Sequence, residues 1–291
     1  MKERRAGDTY FPSDTLFEAW ELKYCIDNDT DRFACSRHTS NALNELRADL
    51  YNLSENVRTF LFQEVWNSRN KKVTFEGGYD ELSTLFIGTL WSGFSQRQGA
   101  DIVTTIWVKS ETFIIDKITT YTSLPAQSTV GDVLAFLLGS FGEDLPIGAI
   151  GSYPEKLLRP VALSGNTFDL ARKYSDNTVF IDNGRVYALR RNEVIQGDIK
   201  LINSSSGLLA TPKREVNFLQ IQTLFEPRIK MNQLLQVESD VQDVYTGEYK
   251  VMGIQHTGII SEAVGGDLRT IIDLFLEGIG YVVIEEKPNE S

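Results

Sequence analysis

Cysteine is nearly missing from this chain: Cys25 and Cys35 are the only two in 291 residues. Two thiols cannot build a disulfide framework, and they fall short of a cysteine zinc site. Histidine is equally scarce. His38 sits in the polar run Ser36-Arg37-His38-Thr39-Ser40 and His256 ends an apolar strand, and neither has a second histidine or cysteine at ligand spacing. The longest unbroken apolar run, Val133 to Leu138, has six residues, against the roughly 20 that span a bilayer. The opening Met1-Lys2-Glu3-Arg4-Arg5 carries no apolar stretch, so no signal peptide and no membrane insertion are expected. Positive charge is in deficit, with 29 Lys+Arg against 40 Asp+Glu and a net charge of −11. That balance argues against a protein that grips nucleic acid by its phosphates. It does not exclude a surface past which DNA must slide without sticking.

What is present reads as an ordinary globular chain. Apolar residues make up 42% and charged residues 24%, enough to bury a core and too apolar for a disordered tract. The length fits about two domains of roughly 150 residues each. The acidic excess runs through every third of the chain, and only residues 1–14 and 285–291 are polar without periodicity.

The first third reads mostly as strands. Leu46, Ala48 and Leu50 alternate with Arg47, Asp49 and Tyr51, the period-two pattern of a half-buried strand. After Asn52-Leu53, Ser54 is a candidate N-cap for a short helix reaching Phe62. Strands follow at 72–76, 85–90 and 101–108, with Gly77-Gly78 and Gly99 as turns. Short strands between glycine turns suggest a small barrel or sandwich. The middle third changes character. Thr129-Val130-Gly131-Asp132 has the form of a capping box ahead of Val133, Leu134, Leu137 and Leu138, predicting a helix over 129–139. A second helix is expected over 167–174. The hairpin 178–190 turns at Asn183-Gly184, a pair that tolerates the positive φ of a type I′ turn. The last third returns to strands at 234–237, 249–252 and 269–275, with Pro212 and Pro227 between elements.

The first and last thirds also share a pattern. Gly99-Ala-Asp101-Ile-Val-Thr104-Thr-Ile106 matches Gly265-Gly-Asp267-Leu-Arg-Thr270-Ile-Ile272. Upstream, Phe86-Ile87-Gly88 parallels Val251-Met252-Gly253, and Val73-x-Phe75-Glu76 parallels Leu235-x-Val237-Glu238. Three strands in the same order favour two similar β units flanking an inserted α+β unit.

Catalytic chemistry finds no foothold in this pattern. Gly77-Gly78 and Gly265-Gly266 continue into no phosphate-binding motif. Trp20, Trp66, Trp91 and Trp107 lack interleaved basic residues and read as core or interface packing. Glycosidase chemistry needs two carboxyls flanking the sugar bond. Glu143 and Asp144 are candidates, but solvated acidic loops account for them better. No catalytic, cofactor-binding or metal-binding residue is expected.

The order of these motifs resembles that of baseplate hub proteins of contractile-tailed bacteriophages. Asn52-Leu53-Ser54, Gly77-Gly78-Tyr79, Gly88, and Asp101 with Thr104 resemble the opening barrel of that family. Gly247-x-Tyr249, Gly253, Asp267 and Thr270 resemble the closing one, and the segment ending in Asn183-Gly184 resembles the inserted domains. The resemblance covers residues 40 to 278. One departure stands before the strand at 234: a glycine is expected there, and Asn232 or Gln233 occupies the place. The resemblance implies an α+β, mainly β fold. Two tandem tail-tube-like antiparallel β-barrels, at 1–115 and 200–291, would flank an insertion at 116–199. It further implies a non-enzymatic homotrimer in the virion's tail baseplate, assembled in the host cytoplasm. That trimer would match a hexameric tail tube to a trimeric central spike, touch tape-measure and baseplate wedge proteins, and let genome DNA pass during ejection without specific binding. A peptidoglycan hydrolase and a glycan- or receptor-binding tail module are the alternatives.

Overall fold

The computed structural model describes residues 31–39, 44–64, 71–79, 81–110, 112–216, 218–260, 268–276 and 280–288. Cys25, Trp20, Trp66, Asp267 and the Gly265-Gly266 pair lie outside the described residues.

The first part of the chain supplies strands β1 (Asp31–His38) and β2 (Glu45–Tyr51), helix α1 (Glu55–Leu61), and strands β3 (Lys72–Gly77), β4 (Ser83–Gln98) and β5 (Asp101–Lys109). The middle runs α2 (Thr112–Lys117), β6 (Thr119–Leu124), α3 (Val130–Gly139), β7 (Ile147–Ile150), β8 (Val161–Asn166), α4 (Thr167–Tyr174), β9 (Val179–Asp182), β10 (Arg185–Ala188) and β11 (Glu193–Ile195). The last part holds β12 (Lys200–Ile202), β13 (Lys213–Arg214), β14 (Phe218–Leu224), β15 (Leu234–Val237), β16 (Gly247–Ile260), β17 (Arg269–Phe275) and β18 (Val282–Ile284).

The fold is α+β and mainly β. The two β units, however, do not close into separate barrels among the described residues. They merge into one 11-stranded sheet ordered β13-β14-β17-β16-β1-β2-β5-β4-β3, with β15 and β12 branching from β16. The merger depends on β1, which pairs with β2 on one side and with the far half of β16 on the other.

The repeat is visible in the topology. In the first unit the order β3-β4-β5-β2-β1 recurs in the second as β15-β16-β17-β14-β13. Ladder registers fix which residues correspond. Leu46 opposite Val108 repeats as Leu219 opposite Leu274, and Ala48 opposite Ile106 as Ile221 opposite Ile272. Each unit carries a β-bulge at the same place, between Leu90 and Ser92 and between Val251 and Gly253. The bulges correct one expected pairing: Gly253 corresponds to Ser92, and Gly88 to Tyr249. A motif match cannot count the residues of the intervening turn, so it slipped along β4. The match of Val73 with Leu235 survives, since Val73 faces Gly88 and Leu235 faces Tyr249.

Three hydrophobic clusters follow this plan. The first unit buries Leu46, Leu85, Leu90 and Val108, with Phe225 lent by the second. The second buries Leu219, Leu235, Val251, Ile272 and Leu274. Helices α3 and α4 bury Val133, Leu134, Leu137, Phe168 and Ala171 against β7–β10. The capping box forms as expected: the Asp132 amide donates to Thr129 Oγ1 at 3.1 Å, and the Thr129 amide to Asp132 Oδ2 at 2.8 Å. The hairpin turn has φ of 45° at Asn183 and 70° at Gly184. At the place where a glycine was expected, Asn232 adopts a φ of 61°. Asparagine enters the left-handed region at lower cost than most residues, so the turn keeps its shape without the glycine.

Candidate functional site

Buried polar side chains of this fold gather at the seam where the two β units and the insertion meet. Polar side chains of β1 and its neighbours hold that seam from inside the protein. Arg37, with a side chain 2% exposed, donates from one guanidinium nitrogen to both oxygens of Asp182 at 3.2 Å. Asp182 ends β9, just before the Asn183-Gly184 turn, so this ion pair ties the insertion's hairpin to the sheet. Burial pushes the Asp182 carboxyl upward, against the Arg37 charge that pulls it down. Asn44 Nδ2 adds a 2.8 Å bond to the Ile181 carbonyl, and Asn44 Oδ1 accepts the His38 amide at 2.9 Å.

Lys250 on β16 is the second fastener. Its ammonium donates to the carbonyls of Arg190, Arg191 and Glu193 at 3.0, 3.3 and 2.6 Å. The donor set of a lysine is thereby spent on the loop entering β11. Burial lowers its pKa to about 8. Nearby, Arg185 binds Glu286 at 3.0 Å and the Tyr187 hydroxyl donates to the same carboxylate at 2.6 Å.

Farther along the seam, His256 is fully buried opposite Cys35. Its Nδ1 lies 2.9 Å from the Thr270 hydroxyl, whose oxygen also accepts the Glu226 amide at 2.9 Å. The Phe225 ring stands edge-on at 5.5 Å. Burial, helped by the Arg37 charge, pulls the imidazole down to about 3. Burial pushes the Cys35 thiol up to about 12, so it is held as an unreactive thiol.

The polar groups of this arrangement are engaged with one another across the seam. Two clefts flank the seam, of about 980 and 470 Å³. The acids of the smaller one, Asp182 and Glu286, are both held by arginines. Glu143 and Asp144 sit in an exposed single turn of the insertion, away from either cleft. Among the described residues no cluster of His, Cys, Asp and Glu is placed to hold a metal ion, and no helix is long and apolar enough to cross a membrane.

The residues singled out from sequence occupy varied positions in the fold. Asn52 and Asp101, far apart in the chain, meet: Asn52 Nδ2 donates to Asp101 Oδ1 at 3.1 Å and Asn52 Oδ1 accepts the Ile102 amide at 3.0 Å. With a φ of 53°, Asn52 turns the end of β2 onto β5. Leu53 enters the first core. Ser54 stands at the N-cap of α1, but its side chain makes no capping bond. Gly77 and Gly78 form the exit from β3, where a Cβ on Gly78 would lie 1.8 Å from the Glu81 carbonyl oxygen. Tyr79 is exposed and edge-on to Phe225 at 5.9 Å. A Cβ on Gly88 would lie 2.4 Å from the Lys109 carbonyl oxygen. Gly247 and Tyr249 open β16 against β15, and Gly253 packs against His38. Thr104 bonds Ser95 at 3.0 Å, the counterpart of Thr270 with His256. Trp91 and Trp107 both stack on the Lys109 ammonium, at 4.2 and 4.6 Å from their ring centres.

Arg37, Asn44, Asp182 and Lys250 were missed in the sequence. Their partners lie up to 145 residues away, and the only local signal was a charged residue inside a strand's apolar alternation.

A family model described as baseplate hub gp41 matches residues 25–258. No curated protein sequence matches the chain. Among solved structures, the 43 kDa tail protein of prophage MuSo2 from Shewanella oneidensis aligns with a TM-score of 0.57 at 9% identity, over 85% of this chain and 94% of that one. The tail protein from Neisseria meningitidis MC58 aligns with a TM-score of 0.54 at 8% identity, over 85% and 92%. At such identities the likeness is one of fold.

Proposed function

The chain belongs to the baseplate hub gp41 family, so its role is a structural one in a tail baseplate, and from that premise we propose that three copies form a ring joining a hexameric tail tube to a trimeric central spike. The observation that carries this reading is the strand order repeated within one continuous sheet. Two like units per chain give six around a threefold axis, a face that suits a hexameric tube. The insertion occurs once per chain and supplies a threefold face for a spike. Closed symmetric assembly of this kind reuses one contact around the ring. The segments 1–115 and 200–291 are then the two tube-facing units, and 116–199 is the spike-facing one. The hydrolase reading gains nothing from the seam, where Asp182 and Glu286 are paired with arginines and Glu193 accepts the Ser152 and Arg190 amides.

Light scattering and negative-stain images of the purified chain test the ring. Three times the 32.8 kDa chain mass, with a threefold ring and an open bore, is the expected result. A stable monomer at micromolar concentration, with no ring, overturns it.

A further inference from the structure

Resting on that ring, we propose that neighbouring copies join by strand addition, with β13 of one copy pairing antiparallel to the Phe94–Gln98 stretch of β4 in the next. The chain already contains this joint once. Within one copy, β1 of the first unit docks on the half of β16 that extends past β15, setting Cys35 opposite His256 and Ala34 opposite Thr257. The repeat gives both strands a counterpart. Cys35 lies opposite Leu46 on β2, as Arg214 lies opposite Leu219 on β14, so β13 corresponds to β1. Thr104 lies opposite Ser95, as Thr270 lies opposite His256, so the half of β4 beyond β3 corresponds to the half of β16 that receives β1.

Both counterparts have an open edge. Among the described residues β13 pairs only with β14, and beyond Gly93 β4 pairs only with β5. At Gly93 that edge is closed by Gln63, through reciprocal backbone bonds of 2.9 Å. Transferring the internal register puts Arg214 opposite Ser95, Lys213 opposite Gln96 and Glu215 opposite Phe94.

The directions of the backbone groups agree with this register independently. The Glu215 amide bonds the Phe218 carbonyl, so the adjacent Arg214 turns its N–H and C=O to the open side, as alternation in an antiparallel strand requires. On β4 the N–H and C=O of Gly93 point to Gln63, so Ser95, two residues on, faces the same open side. Arg214 and Ser95 therefore meet as a pair able to exchange both hydrogen bonds. Apolar side chains wait at both edges, with Val216 92% and Phe94 46% exposed. Lys213 and Arg214 keep so exposed an edge from pairing indiscriminately, which leaves a second copy, matched in register, as its occupant.

Engineered cysteines read the register directly. In the double variant Lys213→Cys, Gln96→Cys the two thiols come from different copies and face each other across a non-exchanging pair, with Cα atoms about 4.5 Å apart, inside the disulfide range of about 4.4–6.8 Å. Glu215→Cys with Phe94→Cys reads the same register two residues along. Both pairs are expected to convert on mild oxidation to a covalent trimer on a non-reducing gel. Lys213→Cys with Ser95→Cys places its thiols on opposite faces of the sheet and is expected to stay unlinked, like the parent chain. A trimer by light scattering with neither pair linking overturns the strand addition and leaves the ring standing. A monomer with no linkage overturns both, and linkage of the offset pair alone overturns the register.

Discussion

His256 shows how a single buried side chain writes itself into the pH dependence of the whole protein. Its imidazole titrates near 6.5 in an unfolded chain and at about 3 in the folded one, chiefly because burial disfavours the charged form and secondarily because of the Arg37 charge. Between those values the unfolded state binds a proton that the folded state refuses, so stability rises with pH there. The contribution is complete above pH 6.5 and is lost as pH falls toward 3. Each pH unit inside that window is worth about tenfold in the unfolding constant from this one group. Denaturant unfolding at pH 4, 5, 6 and 7 should therefore give a steeper loss of stability in the parent than in His256→Gln, which keeps a polar side chain beside Thr270 and cannot titrate. Parallel profiles for the two proteins would mean that the site is open to water.

At the scale of elements, Asn232 carries a comparable lesson about turns. Its φ of 61° is a conformation that alanine adopts at a cost of about 1–2 kcal/mol and glycine adopts freely. Asn232→Ala is expected to lower the unfolding free energy by about 1 kcal/mol and Asn232→Gly to leave it nearly unchanged, as read by denaturant midpoints. Equal losses for both would place the importance of Asn232 in its side chain instead. The same turn marks how far local sequence reaches. Elements whose cause is local were legible: β2 from alternation, α3 from its capping box, and the β9–β10 hairpin from Asn-Gly. Elements whose cause is a distant partner were not. β1 reads as a polar mixture, Asp31-Arg-Phe-Ala-Cys-Ser-Arg-His38, and is a strand because β2 and β16 complete its hydrogen bonds on both sides. The outer half of β4, Ser95-Gln-Arg-Gln98, is polar and exposed and carries no apolar stripe to announce it. The fusion of both units into one sheet follows from β1, so it was hidden with it. The fasteners Arg37, Asn44 and Lys250 act across the seam, and a charge inside a strand's alternation was their only local trace.

At the scale of the whole molecule, the net charge of −11 becomes a question of which surface faces DNA. On the exposed face of the sheet, acids are engaged by cations or neutral donors across neighbouring strands. Arg32 lies opposite Asp49, whose carboxylate also accepts the Thr105 hydroxyl at 2.7 Å. Trp107 donates to Glu45 at 3.1 Å, and Gln220 donates to Asp273 at 2.9 Å. There Arg32 and Lys109 each face an acid on the neighbouring strand, well inside the roughly 8–10 Å over which charge acts at physiological salt. If this face lines the bore of the proposed ring, removing its acids frees its cations to hold the genome. The double substitution Glu45→Lys, Asp49→Lys, repeated in every copy around the ring, would build a basic band from Arg32, Arg47 and the new lysines. Particles assembled with that variant should eject DNA more slowly, and the delay should shrink as salt is raised, because phosphate contacts weaken steeply with ionic strength. Ejection at the parent rate from correctly assembled particles would place this face away from the DNA path and leave the acidity to keep the chain soluble before assembly.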